Sequence, residues 1–285
     1  MKNKKRVITM RTLGTKGHGR FGNQVLQYGF LKIYASRYSL KVKTHPWIGQ
    51  YLFGHQDPPV TRKYPILTSS DISKIKTNKL LGSKNPPFVN VDLQGQFMMH
   101  ANRYKPYKKL FRSLFQPTPG IYDQVNKGML ELRKRGKTVV GLHVRRGDFL
   151  NYKNHPRNFP VPTSWYIKWL KQIWPTLENP VLFIASDDLD SVLSKFKRYR
   201  PVTSSDVIEN FPKKPKYHRL NPSFYPDFYI LTQCDHLAIS NSTFSFAASL
   251  LNKRCKSFMR PHMKRKLVPF QPWNSKRRLN LLRSR

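Results

Sequence analysis

The chain has 285 residues and a formal net charge of +39, from 53 lysines and arginines against 14 aspartates and glutamates. Its content of 39% hydrophobic and 13% aromatic residues is typical of a folded protein and excludes a disordered basic tail. The basic residues are spread along the whole chain. The charge therefore indicates weak contact with an anionic surface or polyanion, but it does not indicate any particular reaction.

Signals for export, membrane insertion and metal binding are weak. The apolar segment Val7–Met10 is shorter than the ~7–15 residues of a signal-peptide core, and no apolar run approaches the ~18 residues of a membrane span. The two cysteines, Cys234 and Cys255, are too few for a disulfide framework or a zinc site of their own. We therefore expect a location in the cytoplasm or peripheral at a membrane surface, while no oligomeric state is indicated.

The chain begins with the pattern of a βαβ unit. An apolar run at 7–13 predicts a strand, and glycines within 14–22 predict a tight turn after it. Apolar residues at helical spacing predict a helix over 23–37, and a second strand follows at 40–44.

Prolines break up the part of the chain that follows. Residues 45–87 are predicted to be rich in loops, with a strand at 88–93 and a short basic helix at 107–115. The sequence Gln-Pro-Thr-Pro-Gly at 116–120 is typical of a linker between domains.

Beyond this linker, strands again alternate with helices. The predicted helices cover 121–135, 165–174 (with Thr163 or Ser164 as N-cap), 224–234 and 246–252, and the predicted strands cover 138–144, 181–185 and 236–240. Alternation on both sides of the linker predicts an α/β protein with two Rossmann-like, doubly wound domains facing a cleft. We place the domains at 1–118 and 119–285.

The most informative stretch lies where the strand at 138–144 ends. The residues at this strand end include His143, Arg145, Arg146 and Asp148. Ligands of open α/β sheets bind outside the carboxyl ends of strands. Two guanidinium groups at this position could bind a diphosphate, because arginine forms bidentate hydrogen bonds with phosphate oxygens. A strand end with solvated arginines is the alternative. Asp148 could act as a general base or could orient the arginines, and His143 fits a packed strand residue better than a base.

The turn Gly17-His18-Gly19-Arg20-Phe21-Gly22 matches a dinucleotide-binding fingerprint. The next strand ends in Lys41, Lys43 and Thr44, and it lacks the acid that would hold a ribose. A tight turn that needs positive φ angles therefore explains the glycines better than a nicotinamide cofactor.

Two further motifs allow both a structural and a chemical interpretation. Asp188-Leu189-Asp190 has the spacing of a divalent-cation motif, but acids at the start of a helix also cap it, and we favour capping. Ser242-Thr243-Phe244-Ser245 lies between a loop and a helix, where it forms either a phosphate cradle or an ordinary N-cap.

Taken together, these motifs resemble the α-1,2-fucosyltransferase family, of the glycosyltransferase family 11 type, and related GDP-fucose fucosyltransferases. The segments that carry the resemblance are Gly19 to Tyr28, Leu93 to Tyr104, His143 to Phe149, Val181 to Asp188, Cys234-Asp235-His236, and Asn241 to Ser245. The chain departs from the family pattern at Gln96, where a tyrosine is usual, and at Phe246, where a tryptophan is usual.

The resemblance implies a GT-B-like fold and an inverting, metal-independent hexosyltransferase that moves fucose from GDP-fucose to a hydroxyl of a glycan acceptor. It implies donor contacts at the residues that match the family motifs: Arg145, Arg146, Asp187, Asp227, Ser242, Thr243, Phe244 and Ser245. Catalytic roles fall to Arg145, Asp148 and His143. The acceptor side of the cleft would contain His18, Gly19, Arg20, Phe21, Gly22, Asn23 and Gln24.

Two rival interpretations remain at this point. One is a transferase of the same fold that uses another nucleotide sugar. The other is a basic nucleic-acid-binding protein, which the charge and the aromatic residues favour, although no RNA-recognition motif or zinc knuckle is present.

Overall fold

The computed structural model of the protein describes residues 6–75, 77–97, 99–151, 155, 157–212, 221–262, 266–277 and 279. These residues divide into two compact units, one made of the chain up to Thr118 and the other of the chain from Pro119 onward. Each unit contains one β-sheet. In the described ranges, no helix combines the length and the apolar character needed to cross a membrane.

The first unit is built on a four-stranded parallel sheet. Its strands are β1 (Val7–Met10), β2 (Lys41–Thr44), β3 (Ile66–Thr68) and β4 (Val91–Gln94). They lie in the order β2-β1-β4-β3, and every neighbouring pair is parallel. The order reverses between β1 and β4, which places the glycine-rich turn after β1 at the reversal point of the sheet.

Helices and aromatic side chains surround this sheet. The helices of the first unit are α1 (Phe21–Tyr38), α2 (Ile48–Phe53), α3 (Ser69–Lys74), α4 (Thr77–Gly82) and α5 (Lys108–Ser113). Helix α1 is buried around most of its circumference because its aromatic rings contact other rings: Tyr34 stacks on Phe88 at 4.2 Å between centroids, and Phe30 stacks on Phe97 at 4.9 Å. Such contacts anchor α1, and with it the turn that precedes it.

The second unit is built on a five-stranded mixed sheet. Its strands are β5 (Thr138–Val144), β6 (Pro180–Ser186), β7 (His236–Ala238), β8 (Ser257–His262) and β9 (Lys266–Pro269). Its helices are α6 (Pro119–Lys134), α7 (Thr163–Ile173), α8 (Leu189–Leu193), α9 (Tyr225–Leu231) and α10 (Thr243–Leu251).

The strand order of the second sheet determines where a ligand can bind. The order is β6-β5-β7-β8-β9, with only β9 antiparallel to its neighbour. The chain passes from β5 to β6, which lies on one side of β5. Strands β7, β8 and β9 lie on the other side of β5. The order therefore reverses between β5 and β7, and the crevice outside the carboxyl ends of these strands is the expected binding position.

Several elements differ from the sequence-based predictions. Residues 45–87 contain α2, β3, α3 and α4 rather than loops, because segments of three to six residues are too short for a periodic pattern. Strands β8 and β9 were not predicted, since Pro261 and basic residues interrupt their apolar pattern.

Two predicted boundaries also shift. Pro119 and Gly120, predicted as linker, begin helix α6, where the fixed φ of proline suits a first turn. Helix α7 starts at Thr163 after Pro162, and no side chain caps it, so the predicted cap by Thr163 or Ser164 was wrong.

Candidate active site

Strand β5 places two arginines at the point where the sheet order reverses. Its residues from Val139 to Val144 are all buried, as expected for a strand covered on both faces. The chain then leaves the sheet, and the next side chains, Arg145 and Arg146, lie at the carboxyl edge and are only partly buried.

The guanidinium of Arg145 is held by two carboxylates. Its Nη1 lies 2.7 Å from Oδ2 of Asp187, and its Nη2 donates to Oδ1 of Asp148. The same guanidinium lies over the ring of Phe149, 5.4 Å from the centroid. Only 15% of the Arg145 side chain is exposed, so its orientation is fixed before any ligand arrives.

Asp187 connects the two arginines. While Oδ2 pairs with Arg145, its Oδ1 accepts a hydrogen bond of 2.7 Å from the backbone N–H of Arg146. Gly147 makes room for this carboxylate: its φ is +27°, and an added Cβ would lie 2.0 Å from Asp187 Oδ2. The Arg146 side chain is held separately, by a bond of 2.8 Å from Nη1 to the carbonyl of Val161.

His143 is a packed residue beneath the site. It is 5% exposed, and its Nδ1 lies 2.7 Å from Oγ of Ser240, just beyond β7. Burial lowers the pKa of His143 to about 3, and the positive charge of Arg145 adds to the effect. The imidazole is therefore neutral over the physiological range. It joins β5 to the loop after β7.

That loop leads into helix α10, whose first turn contains the Ser-Thr-Phe-Ser motif. Ser242 is the N-cap, and its Oγ accepts a hydrogen bond from the backbone N–H of Phe244. The ring of Phe244 lies 5.3 Å from that of His143, which places this turn beside the end of β5. Thr243 is 5% exposed and Ser245 is fully buried, with no hydrogen-bond partner for its Oγ in the part of the chain described. Phosphate contacts by these residues stay predictions.

Asn241, one residue before the cap, fixes the loop. Its side-chain amide donates to the carbonyls of Arg157 and Leu279 at 2.9 and 2.7 Å, and its Oδ1 accepts from the N–H of Leu279 at 3.1 Å. Asn241 thus connects the loop to two segments that are distant in sequence.

Asp227 lies in the first turn of α9, next to Phe228, whose ring contacts Phe244 edge-on at 5.2 Å. Burial raises the pKa of Asp227 to about 6, and a hydrogen bond from Ser204 acts in the opposite direction. A contact between Asp227 and the donor nucleoside stays a prediction.

The predicted acceptor-side residues lie in the first unit. Gly17 and Gly19 have φ angles of +84° and +104°, as the tight-turn interpretation requires. The side chain of Gln24 donates to the carbonyl of Gly19, and that of Gln27 donates to the carbonyls of His18 and Gly95. The side-chain oxygen of Asn23 is buried and has no partner among the described residues. Acceptor contacts by all seven residues from His18 to Gln24 stay predictions.

Asp188 caps helix α8, as favoured from the sequence. Its Oδ1 accepts from the backbone N–H of Ser191, and its Oδ2 accepts from the Ser191 hydroxyl at 2.6 Å. In the part of the chain that the structure describes, no group of three or more His, Cys, Asp or Glu residues could hold a metal ion. Metal independence itself stays a prediction.

Comparison with known proteins identifies the family. The family model described as glycosyl transferase family 11 matches residues 119–261, which include the arginines, Asp187, Asp227 and the turn before α10. The chain belongs to glycosyl transferase family 11. The resemblance predicted from the motifs is confirmed, and the chain is a glycosyltransferase. No curated protein matches it in sequence.

Solved structures show that this family 11 protein has the GT-B fold. The fucosyltransferase NodZ from Bradyrhizobium is 13% identical with a TM-score of 0.60, covering 94% of this chain and 99% of that one. FUT1 from Arabidopsis thaliana, as a mutant in complex with GDP, is 13% identical with a TM-score of 0.59, covering 99% and 76%. POFUT1 in complex with GDP-fucose is 13% identical with a TM-score of 0.55, covering 90% and 97%. The predicted fold class is confirmed.

Some residues that organise the family 11 site were not found from the sequence. Ser240 positions His143, the Val161 carbonyl holds Arg146, and Tyr166 donates from its hydroxyl to the His143 carbonyl at 3.2 Å. Ser240 stands directly before the motif that begins at Asn241, which could have indicated it. Val161 acts through its backbone, so its side-chain identity carried no signal.

Proposed function

We propose that this protein transfers fucose from GDP-fucose to a hydroxyl of a glycan acceptor. The observation that carries the proposal is the pair Arg145 and Arg146, organised around Asp187 at the reversal point of the second sheet. The relatives with the same fold support it, since NodZ is described as an α-1,6-fucosyltransferase soaked with GDP-fucose, and POFUT1 is in complex with GDP-fucose.

In the proposed reaction, the acceptor hydroxyl attacks the anomeric carbon as the bond to the β-phosphate breaks. Negative charge then grows on the departing diphosphate. Arg145 stabilises this charge, because its guanidinium has N–H groups beyond the two used by Asp148 and Asp187. Each such contact is worth roughly 2.7–4 kcal/mol in the transition state.

The donor nucleotide is assigned to the turn before α10 and to α9. Ser242, Thr243, Phe244 and Ser245 supply N–H groups and hydroxyls at the start of a nine-residue helix, where an anion is favoured. Asp227, with its raised pKa, is assigned to the N–H donors of the guanine base. Asp187 acts through Arg145 and Arg146 and is a positioning residue.

Asp148 is proposed to orient Arg145. Its carboxylate already holds Nη2 of Arg145, while Asp187 holds Nη1 of the same guanidinium. His143 is excluded as a base by its burial and is assigned to positioning. Inversion at the anomeric carbon, α-1,2 linkage and independence of metal complete the proposal, together with acceptor contacts in the turn from His18 to Gln24. The proposed location is the cytoplasm or the periphery of a membrane surface.

Thermal stabilisation by nucleotides tests the proposed function. Unfolding is followed in 150 mM NaCl with millimolar GDP, UDP or ADP, and with an RNA homopolymer. GDP alone is expected to raise the Tm by several degrees. A response to UDP in place of GDP indicates a transferase with another donor. A response only to RNA, lost steeply with salt, indicates a nucleic-acid-binding protein and contradicts the proposal.

A donor screen then tests the chemistry. Release of nucleotide from a set of nucleotide sugars, with and without glycan acceptors, is measured in the presence of EDTA and of MgCl2. GDP-fucose is expected to be the substrate, with rates that agree within a small factor in both buffers. Turnover that is lost in EDTA and restored by Mn²⁺ would contradict metal independence.

A further inference from the structure

A cavity lies at the edge of the second sheet opposite to Arg145. It has a volume of about 770 Å³, within the range of small-molecule sites. Its wall includes Thr138 at the start of β5, whereas Arg145 follows the end of the same strand. Seven residues of extended chain separate the two positions by about 23 Å. The cavity is therefore distinct from the candidate donor site.

The lining of this cavity has an excess of positive charge. It contains four basic side chains, Arg133, Lys137, Arg254 and Lys256, against two acidic ones, Glu178 and Asp235. Each acid is already paired. Glu178 accepts a bond of 2.5 Å from Lys137, and Asp235 accepts from Arg133 at 3.1 Å and from Arg254 at 3.2 Å. Two positive charges remain in excess.

The pairing around Asp235 holds the arginines in place. Asp235 also accepts a hydrogen bond of 2.9 Å from the N–H of Val139. Burial acts to raise the pKa of Asp235, but the hydrogen bonds from Arg133 and Val139 outweigh it and hold the pKa below its ordinary value. Asp235 belongs to the Cys234-Asp235-His236 motif, for which the donor site offers no role. Its carboxylate stays ionised and acts as an anchor for the cations of the cavity wall.

Two cations keep their donors available. Arg254 uses its Nε for Asp235, and within the described ranges its two terminal nitrogens have no hydrogen-bond partner. Lys256 is exposed, and its Nζ has no ion-pair partner in those same ranges. The fork of Arg254 and the ammonium of Lys256 lie two residues apart on one wall. A guanidinium group beside an ammonium group can bind a tetrahedral anion, because the anion offers several oxygens as hydrogen-bond acceptors.

We propose that this cavity binds a sugar-sized ligand that carries a phosphate or sulfate ester. Arg254 and Lys256 contact the ester oxygens. The hydroxyl of Thr138, which donates to the carbonyl of Glu178 at 2.9 Å, can still accept a hydrogen bond from the remainder of the ligand. Both ester classes present the same tetrahedral array of oxygens, and the experiment separates them.

Isothermal titration calorimetry on the full chain tests this proposal. The probes are glucose 6-phosphate, glucose 6-sulfate and glucose, each with and without saturating GDP. We expect one or both esters to bind, no binding of glucose, and no effect of GDP. The ester with the lower Kd shows whether the cavity prefers a phosphate or a sulfate group. If GDP abolishes ester binding, the ester occupies the nucleotide site instead, and the proposal is wrong whether or not fucosyl transfer is established.

Matched variants then locate the contact. Lys256→Gln removes an exposed, unpaired charge, so folding is unaffected, and we expect the Kd of the ester to rise about ten-fold, the lower end for a charged hydrogen bond. Lys253→Gln is the control, because it makes the same charge change on an exposed residue outside the cavity lining. Equal weakening by both variants would show unspecific attraction to a basic surface and would overturn the proposal. Arg254→Lys keeps the charge without the fork and should weaken binding less than Arg254→Gln.

Discussion

At the scale of single residues, the decisive feature is that the two arginines at the end of β5 are held in place without a ligand. Arg145 has two carboxylate partners and an aromatic surface, and Arg146 has a carbonyl partner. Preorganised donors cost no reorganisation during the reaction, which is why they contribute so much to catalysis.

Arg145→Ala and Arg146→Ala should each lower kcat/KM by roughly 10²–10³-fold, the cost of one preorganised contact to transition-state charge. Arg→Lys at either position should recover only part of the loss, because a point charge cannot replace the bidentate fork. Steady-state kinetics with GDP-fucose measure the effect. Arg198→Ala, which removes an exposed arginine elsewhere in the unit, is the control and should retain full activity. Normal turnover in Arg145→Ala would contradict the assignment.

Asp148→Asn separates the two roles considered for this acid. If Asp148 orients Arg145, the amide still bonds the guanidinium, and kcat/KM falls by roughly ten-fold with an unchanged pH profile. If it is the general base, kcat falls by roughly 10²–10⁴-fold and the acidic limb of the profile disappears. We expect the first result, and the pH dependence of kcat/KM from pH 5 to 9 provides the measurement.

The raised pKa of Asp227, about 6, gives a pH dependence with a definite sign. The protonated form is favoured in the fold, so the free protein gains stability from this group at low pH and loses it as the pH rises through 6. Guanine N–H groups require the carboxylate, so GDP affinity should increase between pH 5 and 7. Titration calorimetry measures it, and Asp227→Asn should remove the dependence. An affinity that is flat with pH in the unmodified protein would argue against the contact.

At the scale of elements, two of the positive-φ glycines in the turn before α1, Gly17 and Gly19, lie in different surroundings. An added Cβ at Gly19 would lie 2.6 Å from Cβ of Asn23, whereas one at Gly17 would meet nothing within 4 Å. Gly17→Ala should cost only the backbone strain of about 1–2 kcal/mol. Gly19→Ala should cost a further 1–3 kcal/mol or so of overpacking and displace Asn23. Urea denaturation compares the two, and equal losses would contradict the close approach.

The long elements of the protein were predictable from sequence, but the short ones were not. Strand β5 and helix α1 follow from sustained apolar patterns of seven and 18 residues. Strand β3 has three residues, of which Ile66 is exposed at the sheet edge, and three residues are too few to show a periodic pattern. The arginines could be placed at a strand end from the sequence alone. The pairing of Arg145 with Asp187 could not, because it joins two strands through tertiary contacts.

At the scale of the whole molecule, the charge of +39 is not needed for the fold and opposes it through self-repulsion. Surface charges interact over a Debye length of about 30 Å at 0.01 M salt but only about 8 Å at 0.15 M. The Tm should therefore rise by a few degrees between 10 and 150 mM NaCl. Differential scanning calorimetry measures it, and a Tm that stays constant or falls over this range would show that the charges are already balanced locally.

Asp187 carries a consequence for how family 11 sequences of this type can change over time. One carboxylate fixes the Arg145 side chain and the Arg146 backbone, and Gly147 leaves it the space. Once Arg145 is lost, further loss of Asp187 removes only its bond to the N–H of Arg146, so the double substitution should cost less than the sum of the two single ones. Acceptable changes at positions 145, 147 and 187 are therefore expected to be correlated, and a lineage that loses Arg145 keeps Asp187 only for its bond to the N–H of Arg146.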